Sequence, residues 1–323
     1  MFAKNVLVAA AALVATVAAQ AQTVNVYGNV EAAFGSFERG VAGEELTHRI
    51  TRVESNVLTG SFLGFKGQED LGGGLKAFFK LESTVGVDTG KGGDDTFWNR
   101  TSELGLTGAY GTLTAGNSLS LSALANHAQS PFSVFGSLNG VQNGVGDDFA
   151  TVQANTLTVT SANYSGFSAA LQYGASEAHG KDSKYALAAN YAAGPLAANF
   201  TYTDDVDALN ASRNLWQLGG SYNFGVAKAF VQVGQADLAG SNDTDFFQLG
   251  VSAPVTAAGT VLASWTHAKT DNVGKRDQLS AAYDHALSKR TGAFAGLAYE
   301  QVKPEGGDSK SGVSLAVGLH HAF

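Results

Sequence analysis

Apolar and polar side chains alternate with a period of two through most of this chain. In the stretch VNVYGNVEAAF (24–34), the even positions are mostly apolar, whereas asparagine, tyrosine and glutamate occupy odd positions. Because successive side chains of a β-strand point to opposite faces, this period predicts a strand with one apolar side. The same alternation recurs along the chain and predicts sixteen strands, which start near residues 24, 57, 75, 96, 112, 155, 167, 184, 195, 213, 226, 244, 259, 275, 291 and 311.

The connections between these strands alternate between short and long. Short connections carry turn residues at 71–74, 109–111, 193–195, 224–225 and 288–290. Longer connections are polar and acidic, at 38–56, 87–95, 176–183, 204–212, 237–243, 271–274 and 304–310. Long and short connections at opposite ends are what an up-and-down barrel of antiparallel strands gives, so we expect such a barrel.

Composition removes several classes of protein. The chain has no cysteine, which excludes disulfides, thiol chemistry and cysteine-bound zinc. Its hydrophobic share of 44% argues against disorder. Its formal net charge of -8 makes a nucleic-acid partner improbable, because phosphate neutralisation needs a basic face, and favours cations instead.

The apolar faces are expected to meet lipid and not a soluble core. A soluble sandwich hides its apolar faces, whereas a membrane barrel shows them to lipid and keeps a polar lumen. The strand number is even and high, and closure satisfies every backbone polar group within the bilayer. Aromatic residues also fall near strand ends on the apolar face, as interfacial girdles require: Tyr173, Tyr191, Tyr202, Tyr222, Phe224, Tyr299 and Phe323.

The first residues are typical of a secretory signal peptide. Lys4 precedes an apolar run from Val6 to Ala19, and Ala19-Gln20-Ala21 provides a small-x-small cleavage site. A short anchor helix is the alternative. We expect residues 1–21 to be removed and residues 22–323 to form the barrel, since no later stretch approaches the ~20 apolar residues of a transmembrane helix.

One segment, at about 119–152, lacks settled alternation. A structureless connection of this length in a compact domain is usually a lid, a binding loop or a linker. It holds Pro131, Phe132 and Phe135, which look buried, followed by Asp147 and Asp148. The strands on both sides of the segment belong to one closed barrel, so it does not link two domains. We therefore expect it to fold into the lumen and form its constriction.

Several stretches together resemble the general porins of the outer membranes of β-proteobacteria, the trimeric family that includes the neisserial porins. The resemblance covers the whole mature chain, and its most specific stretch is GFKGQEDLGGGLKAFFKLE (64–82). Further matches are VNVYGNVEAAF, ELGLTGAYGTLTAG (103–116), NTLTVTSANYSGFSAALQYG (155–174) and AVGLHHAF (316–323). The resemblance implies sixteen strands, a homotrimer, a third loop folded into the lumen, and Phe323 as the signal read by the outer-membrane insertion machinery.

The chain departs from this family at positions that bear on ion selectivity. Phe62 stands where the family often has a basic residue, and Asn117 ends the fifth strand where an arginine is common. Fewer arginines therefore line the pore than in the anion-preferring members. With the acidic long loops, this predicts a weak cation preference.

The residues expected to line the pore are mostly charged. Selectivity in channels comes from such lumen-lining groups. By parity, the early strands contribute Glu31, Lys66, Lys76, Lys80 and Glu82, with Lys66 and Lys76 close to the short turn at 71–74. Asp147 and Asp148 are expected to face Lys80 from the loop, or else to solvate its tip, and the resemblance adds Asn117. Arg100 shares parity with Leu104 and Leu106, which places it at the trimer interface or above the bilayer.

The sequence as a whole predicts an outer-membrane channel for passive diffusion of small hydrophilic solutes and ions. It contains no G-x-S-x-G, H-E-x-x-H or P-loop motif, so no enzyme and no cofactor, metal or energy source is expected. A substrate-specific channel, or a plugged surface barrel with an adhesive or structural role, is the alternative. Expected partners include membrane lipid and lipopolysaccharide, whose phosphates could bind His48, Arg49 and Arg52; these residues could also lie at the pore mouth or in a solvated loop.

Overall fold

The computed structural model describes residues 24–39, 48–92, 96–145, 151–176, 183–206, 212–238 and 242–323. The predicted signal peptide (1–21) lies outside the described residues. The strands are β1 (Asn25–Phe37), β2 (Ile50–Glu54), β3 (Phe62–Gly72), β4 (Leu75–Thr84), β5 (Thr101–Gly108), β6 (Gly111–Leu119), β7 (Val152–Ser161), β8 (Phe167–Gly174), β9 (Lys184–Ala193), β10 (Leu196–Val206), β11 (Ser212–Asn223), β12 (Lys228–Leu238), β13 (Thr244–Pro254), β14 (Gly259–Thr270), β15 (Gly274–Ala286), β16 (Thr291–Pro304) and β17 (Lys310–Ala322). Two helices, α1 (Leu121–Ala128) and α2 (Gly140–Val145), lie between β6 and β7.

The strands form one closed antiparallel sheet. From β3 onward each strand pairs with the next in the chain, and β17 returns to pair with β1 from Asn29↔Ala322 to Ser36↔Leu315. Closure leaves no open edge along this seam, which satisfies backbone groups that would otherwise face lipid. The predicted antiparallel barrel is therefore confirmed.

The strand next to β1 is broken in the middle. β2 pairs with one end of β1 (Ala33–Phe37), and β3 pairs with the other (Asn25–Asn29). The two segments share one position in the wall, so the barrel has sixteen strand positions, as predicted. The sequence, however, predicted a connection over 38–56 and a strand from about residue 57, whereas β2 lies within that range and β3 begins only at Phe62, after a break at 55–61.

The two faces of the wall differ as a membrane barrel requires. Large apolar side chains on the outward parity are exposed, including Leu218, Val231 and Leu249. Their neighbours on the inward parity, such as Gln217, Gln232 and Gln248, are polar and buried. Neither helix among the described residues is long and apolar enough to cross a membrane.

The turns at one end are tight hairpins. Between β3 and β4, Gly72, Gly73 and Gly74 all have positive φ angles of 85°, 62° and 82°. Glycine adopts positive φ with little strain because it has no β-carbon, so three consecutive glycines can form this turn. The predicted short turn at 71–74 is therefore confirmed, and it sets the end of the barrel nearest Lys66 and Lys76.

The described part of the segment between β6 and β7, residues 120–145, lies inside the barrel. Helix α1 contacts β9, β10 and β11, and helix α2 contacts β13, β14 and β15. The contacts are made with inward-facing side chains; for example, the side-chain amide of Gln217 donates to the backbone carbonyl of Ser122. Residues 146–150, and with them Asp147 and Asp148, lie outside the described residues.

Candidate pore constriction

Lysines line the inward face of β3 and β4, as predicted. Lys66 and Lys80 are register partners on the two strands. The ammonium group of Lys66 lies 4.4 Å from the centre of the Tyr27 ring, and that of Lys80 lies 3.5 Å from Glu103 Oε1. Lys76 pairs in register with Asp70, one step from the hairpin turn. All three lysines therefore share one face of the hairpin, and their place on the ion path stays a prediction.

Glu82 lies on the same face, within a compact group of polar and aromatic side chains. It is buried, and its Oε1 accepts a hydrogen bond of 2.6 Å from the Tyr27 hydroxyl. Its Oε2 lies 3.6 Å from Nε of Arg100. Both carboxylate oxygens therefore have partners, Tyr27 and Arg100. Glu82 contributes to the structure of the constriction more than to the unpaired charge in the lumen.

Arg100 is inside the barrel, which corrects its predicted position at the trimer interface or above the bilayer. It is only 8% exposed, and its guanidinium carbon lies 4.6 Å from the centre of the Phe62 ring and 3.7 Å from that of Phe135. Both distances are within the range of cation–π attraction. The sandwich joins Phe62 on the wall to Phe135 on the loop. Parity failed because Arg100 precedes β5, where the alternation has not begun.

Glu31 faces inward, but water does not reach it. Its side chain is fully buried, and its carboxylate accepts hydrogen bonds from the backbone amides of Val57, Leu58 and Thr59 and from the Thr59 hydroxyl. The prediction that Glu31 lines the pore is therefore wrong. The residue instead holds the break at 55–61 against the wall, and this break in turn bonds the loop through Ser137 N to Asn56 O (2.9 Å) and Leu138 N to Val57 O (3.2 Å).

Asn117 does not share the face of the lysines. It pairs with Ser102, whereas the inward Glu103 pairs with Gly116. The register shifts between Gly116 and Ser118, and the Asn117 amide donates to the backbone carbonyl of Trp98. Its predicted place in the lumen is therefore wrong, because it stands at a bulge on the outward parity.

The remaining predicted residues are at the seam, at the mouth or outside the described residues. Phe323 joins the seam through two backbone bonds with Gly28, of 3.1 and 3.2 Å. Its role as an assembly signal stays a prediction. Asp147 and Asp148, the predicted partners of Lys80, lie outside the described residues, and Glu103 lies beside Lys80. At the mouth, Arg49 and Arg52 lie 3.0 Å from Glu38 and Glu54 respectively.

A cavity of about 340 Å³ separates the loop from the lysine-bearing wall. Lys80, Glu82 and Arg100 are its charged lining, and Asn29 and Thr59 add uncharged polar groups. From the loop side it is bounded mainly by apolar groups, with one histidine and one serine: Ala123, Leu124, His127, Ser133, Val134 and Phe135. The constriction is therefore asymmetric, with charge on the wall and apolar surface on the described part of the loop.

Replacing Arg100 with glutamine should destabilise the barrel. The change leaves the buried Glu82 without its cation, and breaking one partner of a buried ion pair costs about 3 to 5 kcal/mol. The midpoint of urea unfolding in detergent should fall accordingly. In the double variant R100Q/E82Q, where no charge is left unpaired, most of the loss should be recovered; equal destabilisation of the single and double variants would contradict the pairing.

A closed barrel with an apolar outer face, a polar interior and a loop that narrows its lumen defines a transmembrane channel of the porin type. The family description that matches residues 8–304 is Gram-negative porin, and the chain belongs to that family. Its place is accordingly the outer membrane of a Gram-negative bacterium.

Similar proteins extend over the whole chain. Outer membrane porin protein 32 of Delftia acidovorans is 32% identical, with 99% of this chain and 100% of that protein covered. Major outer membrane protein P.IB of Neisseria lactamica is 27% identical over the same shares. Among solved structures, the anion-selective porin from Comamonas acidovorans has a TM-score of 0.79 and 26% identity, over 94% of this chain and 100% of that one.

Proposed function

We propose that the barrel is a water-filled channel for passive diffusion of small hydrophilic solutes and ions. The observation that carries this proposal is the cavity of about 340 Å³ between the loop and the wall. Polar and charged side chains line this cavity, whereas the outer face of the barrel is apolar. No energy source is needed, because the solutes move down their own gradients.

The described charges favour anions at the constriction. Glu82 is buried and engaged by Tyr27 and Arg100. Lys80 lies 3.5 Å from Glu103, but its side chain remains 31% exposed against 13% for Glu103, and Lys66 is exposed on the same face. The predicted weak cation preference rested on the acidic long loops and on the small number of arginines expected in the pore, and the described lumen does not support it. A structural relative described as anion-selective agrees with a preference for anions. We therefore propose that the channel favours anions weakly.

Single-channel recording in a planar bilayer tests the proposal. A stable ohmic step, with a reversal potential under a salt gradient that indicates anions, is the expected result. A barrel without any conductance step would be plugged, which would favour an adhesive or structural role. A conductance blocked by one solute class would indicate a substrate-specific channel.

We further propose that three copies associate through the β1–β7 side of the barrel. Outward tyrosines and tryptophans form interfacial girdles on the strands from β8 to β16: Tyr173, Tyr185, Tyr191, Tyr202, Trp216, Tyr222, Trp265, Tyr283 and Tyr299. The described strands β17 and β1 to β7 carry neither residue type at outward positions, although Phe34, Leu104 and Leu315 are exposed there. Girdles are needed where a barrel meets lipid headgroups. Their absence fits a side that other copies cover.

The purified protein should have the mass of three chains in mild detergent. In vesicles, a spin label at Leu106→Cys on β5 should be less accessible to oxygen dissolved in lipid than a label at Leu249→Cys on β13. The chain has no native cysteine, so each label is unique. Equal accessibility at the two positions, or a monomeric mass, would overturn the proposed association.

A further inference from the structure

Four glutamines on the inward face of the barrel are almost completely buried. Gln217, Gln232, Gln248 and Gln278 lie on β11, β12, β13 and β15, and each is at most 2% exposed. Glutamine is mostly found on protein surfaces, and burying an amide without hydrogen bonds is costly. Four such residues on four of the five strands from β11 to β15 therefore need a shared explanation. We refer to them as the amide ladder.

The first two members of the amide ladder bond the backbone of the constriction loop. Gln217 Nε2 donates to the carbonyl of Ser122 at 2.6 Å, and Gln232 Nε2 donates to that of Gln129 at 2.8 Å. Asn199, on β10, adds a bond of 3.2 Å to the carbonyl of Ala125. Ser122 lies in the first turn of α1, whereas Gln129 directly follows the helix. Carbonyls at the end of a helix have no partner within it, so the Gln232 bond satisfies a group at the end of α1, and the Gln217 bond holds its start.

The last member bonds the far part of the same loop. Gln278 Nε2 lies 3.4 Å from the carbonyl of Leu138, and Gln278 Oε1 accepts a bond of 3.0 Å from the side chain of Asn143. Between these two regions Gln248 joins the row, because it accepts from Gln232 at 3.2 Å and donates to Thr266 at 3.0 Å. The loop is thus bonded at both helices, while Gln248 bonds other side chains of the wall between them.

Glycines let the loop backbone approach this part of the wall. A β-carbon added at Gly219 on β11 would lie 2.7 Å from Gln129 Cγ, and one at Gly250 on β13 would lie 2.7 Å from Pro131 Cδ. On the loop, a β-carbon at Gly140 would lie 2.4 Å from Thr266 Oγ1. Wall and loop therefore fit each other closely where the amide ladder lies, independently of its hydrogen bonds.

We propose that the amide ladder fixes the constriction loop against the β10–β15 side, so that Gln217, Gln232 and Gln278 are positioning residues of the channel. This inference rests on the proposed function. The anchor is built mainly from neutral amides, and Arg276 beside Gln278 is paired with Glu300 at 2.8 Å. It therefore holds the loop while adding little net charge to the lumen. The cavity beside Lys80 stays open, and the charged side chains of the wall determine the electric field there.

The sharpest variant is the double replacement Gln217→Glu and Gln232→Glu. Glutamate keeps the shape of glutamine but loses the donor and places a carboxylate beside loop carbonyls. The matched control is Gln68→Glu, an exposed inward position on β3 that makes no hydrogen bond to the described part of the loop. A spin label at Leu124→Cys, on α1 and 47% exposed, reports the motion of the loop.

In the double variant, the label should gain a mobile component and the single conductance level should break into several sublevels. In the control, neither should change. If the glutamate variant does not fold, as judged by heat-modifiable migration in gels, Gln232→Met in the same labelled protein removes the donor without adding a charge. A label that stays immobile in a folded double variant, or in the methionine variant, would overturn the proposal. An absence of conductance in the wild type would refute only the channel, because the label measures loop motion independently.

Discussion

Reversing the charge at Lys80 should shift the reversal potential of the channel towards cations. Lys80 is the cavity-lining cation that is least buried by its partners, and only Glu103 lies beside it among the described acids. One unit charge at about 4 Å changes the energy of a passing ion by about 1 kcal/mol even at the dielectric constant of water. Lys80→Glu changes the charge by two units and acts in opposite directions on anions and cations. Roughly fivefold, the effect of one unit charge on one ion, is therefore the smallest decrease expected in the anion-to-cation permeability ratio.

Lys289→Glu provides the control for this experiment. Lys289 is exposed in the connection between β15 and β16, so its replacement changes the net charge equally but leaves the lumen unaltered. Its reversal potential should match that of the wild type. If Lys80→Glu behaves like Lys289→Glu, ions do not pass Lys80, and the proposed path along β3 and β4 is wrong.

Removing the carboxylate of Glu31 should destabilise the barrel and loosen the constriction together. In Glu31→Ala, the backbone amides of Val57, Leu58 and Thr59 lose their acceptor. Each buried donor left unsatisfied costs about 1 to 3 kcal/mol, so a total loss on the order of 3 kcal/mol or more is expected. The midpoint of urea unfolding in detergent measures the stability, and fluctuation of the open-channel current measures the loosening.

Two variants separate this effect from a loss of charge. Glu31→Gln keeps the shape and one acceptor oxygen and should be intermediate. Glu305→Ala removes an equal charge at an exposed position beyond β16 and should leave both readouts unchanged. A wild-type unfolding midpoint for Glu31→Ala would show that the break at 55–61 holds its shape without the carboxylate.

Alternation predicted the wall well because period two is a direct property of extended backbone. It placed Lys66, Lys76, Lys80 and Glu82 on the correct face. It failed for Arg100, just before β5, because the local rule does not hold there. It also failed for Asn117, which stands at a register shift.

Glu31 shows a different limit. Parity gave its face correctly, yet whether water reaches a side chain depends on what covers it. Here the cover is the break at 55–61, whose pairing partners are distant in sequence. A local pattern carries no information about such contacts. The sandwich of Arg100 between Phe62 and Phe135 was missed for the same reason, since three separate segments meet there.

The seam between β1 and β17 has a consequence for how the barrel assembles. Strand β1 is among the first made, yet its partner on one side is β17, as in the pair Ala32↔Leu319. Contacts between such distant residues form slowly, because a long loop of chain must close first. Until then β1 presents a bare row of amides and carbonyls, which is a template for mispairing with another chain. Closure satisfies the backbone groups of the finished barrel in lipid. Because it depends on the last strand, however, the incomplete chain must be kept from pairing with other chains until β17 is in place.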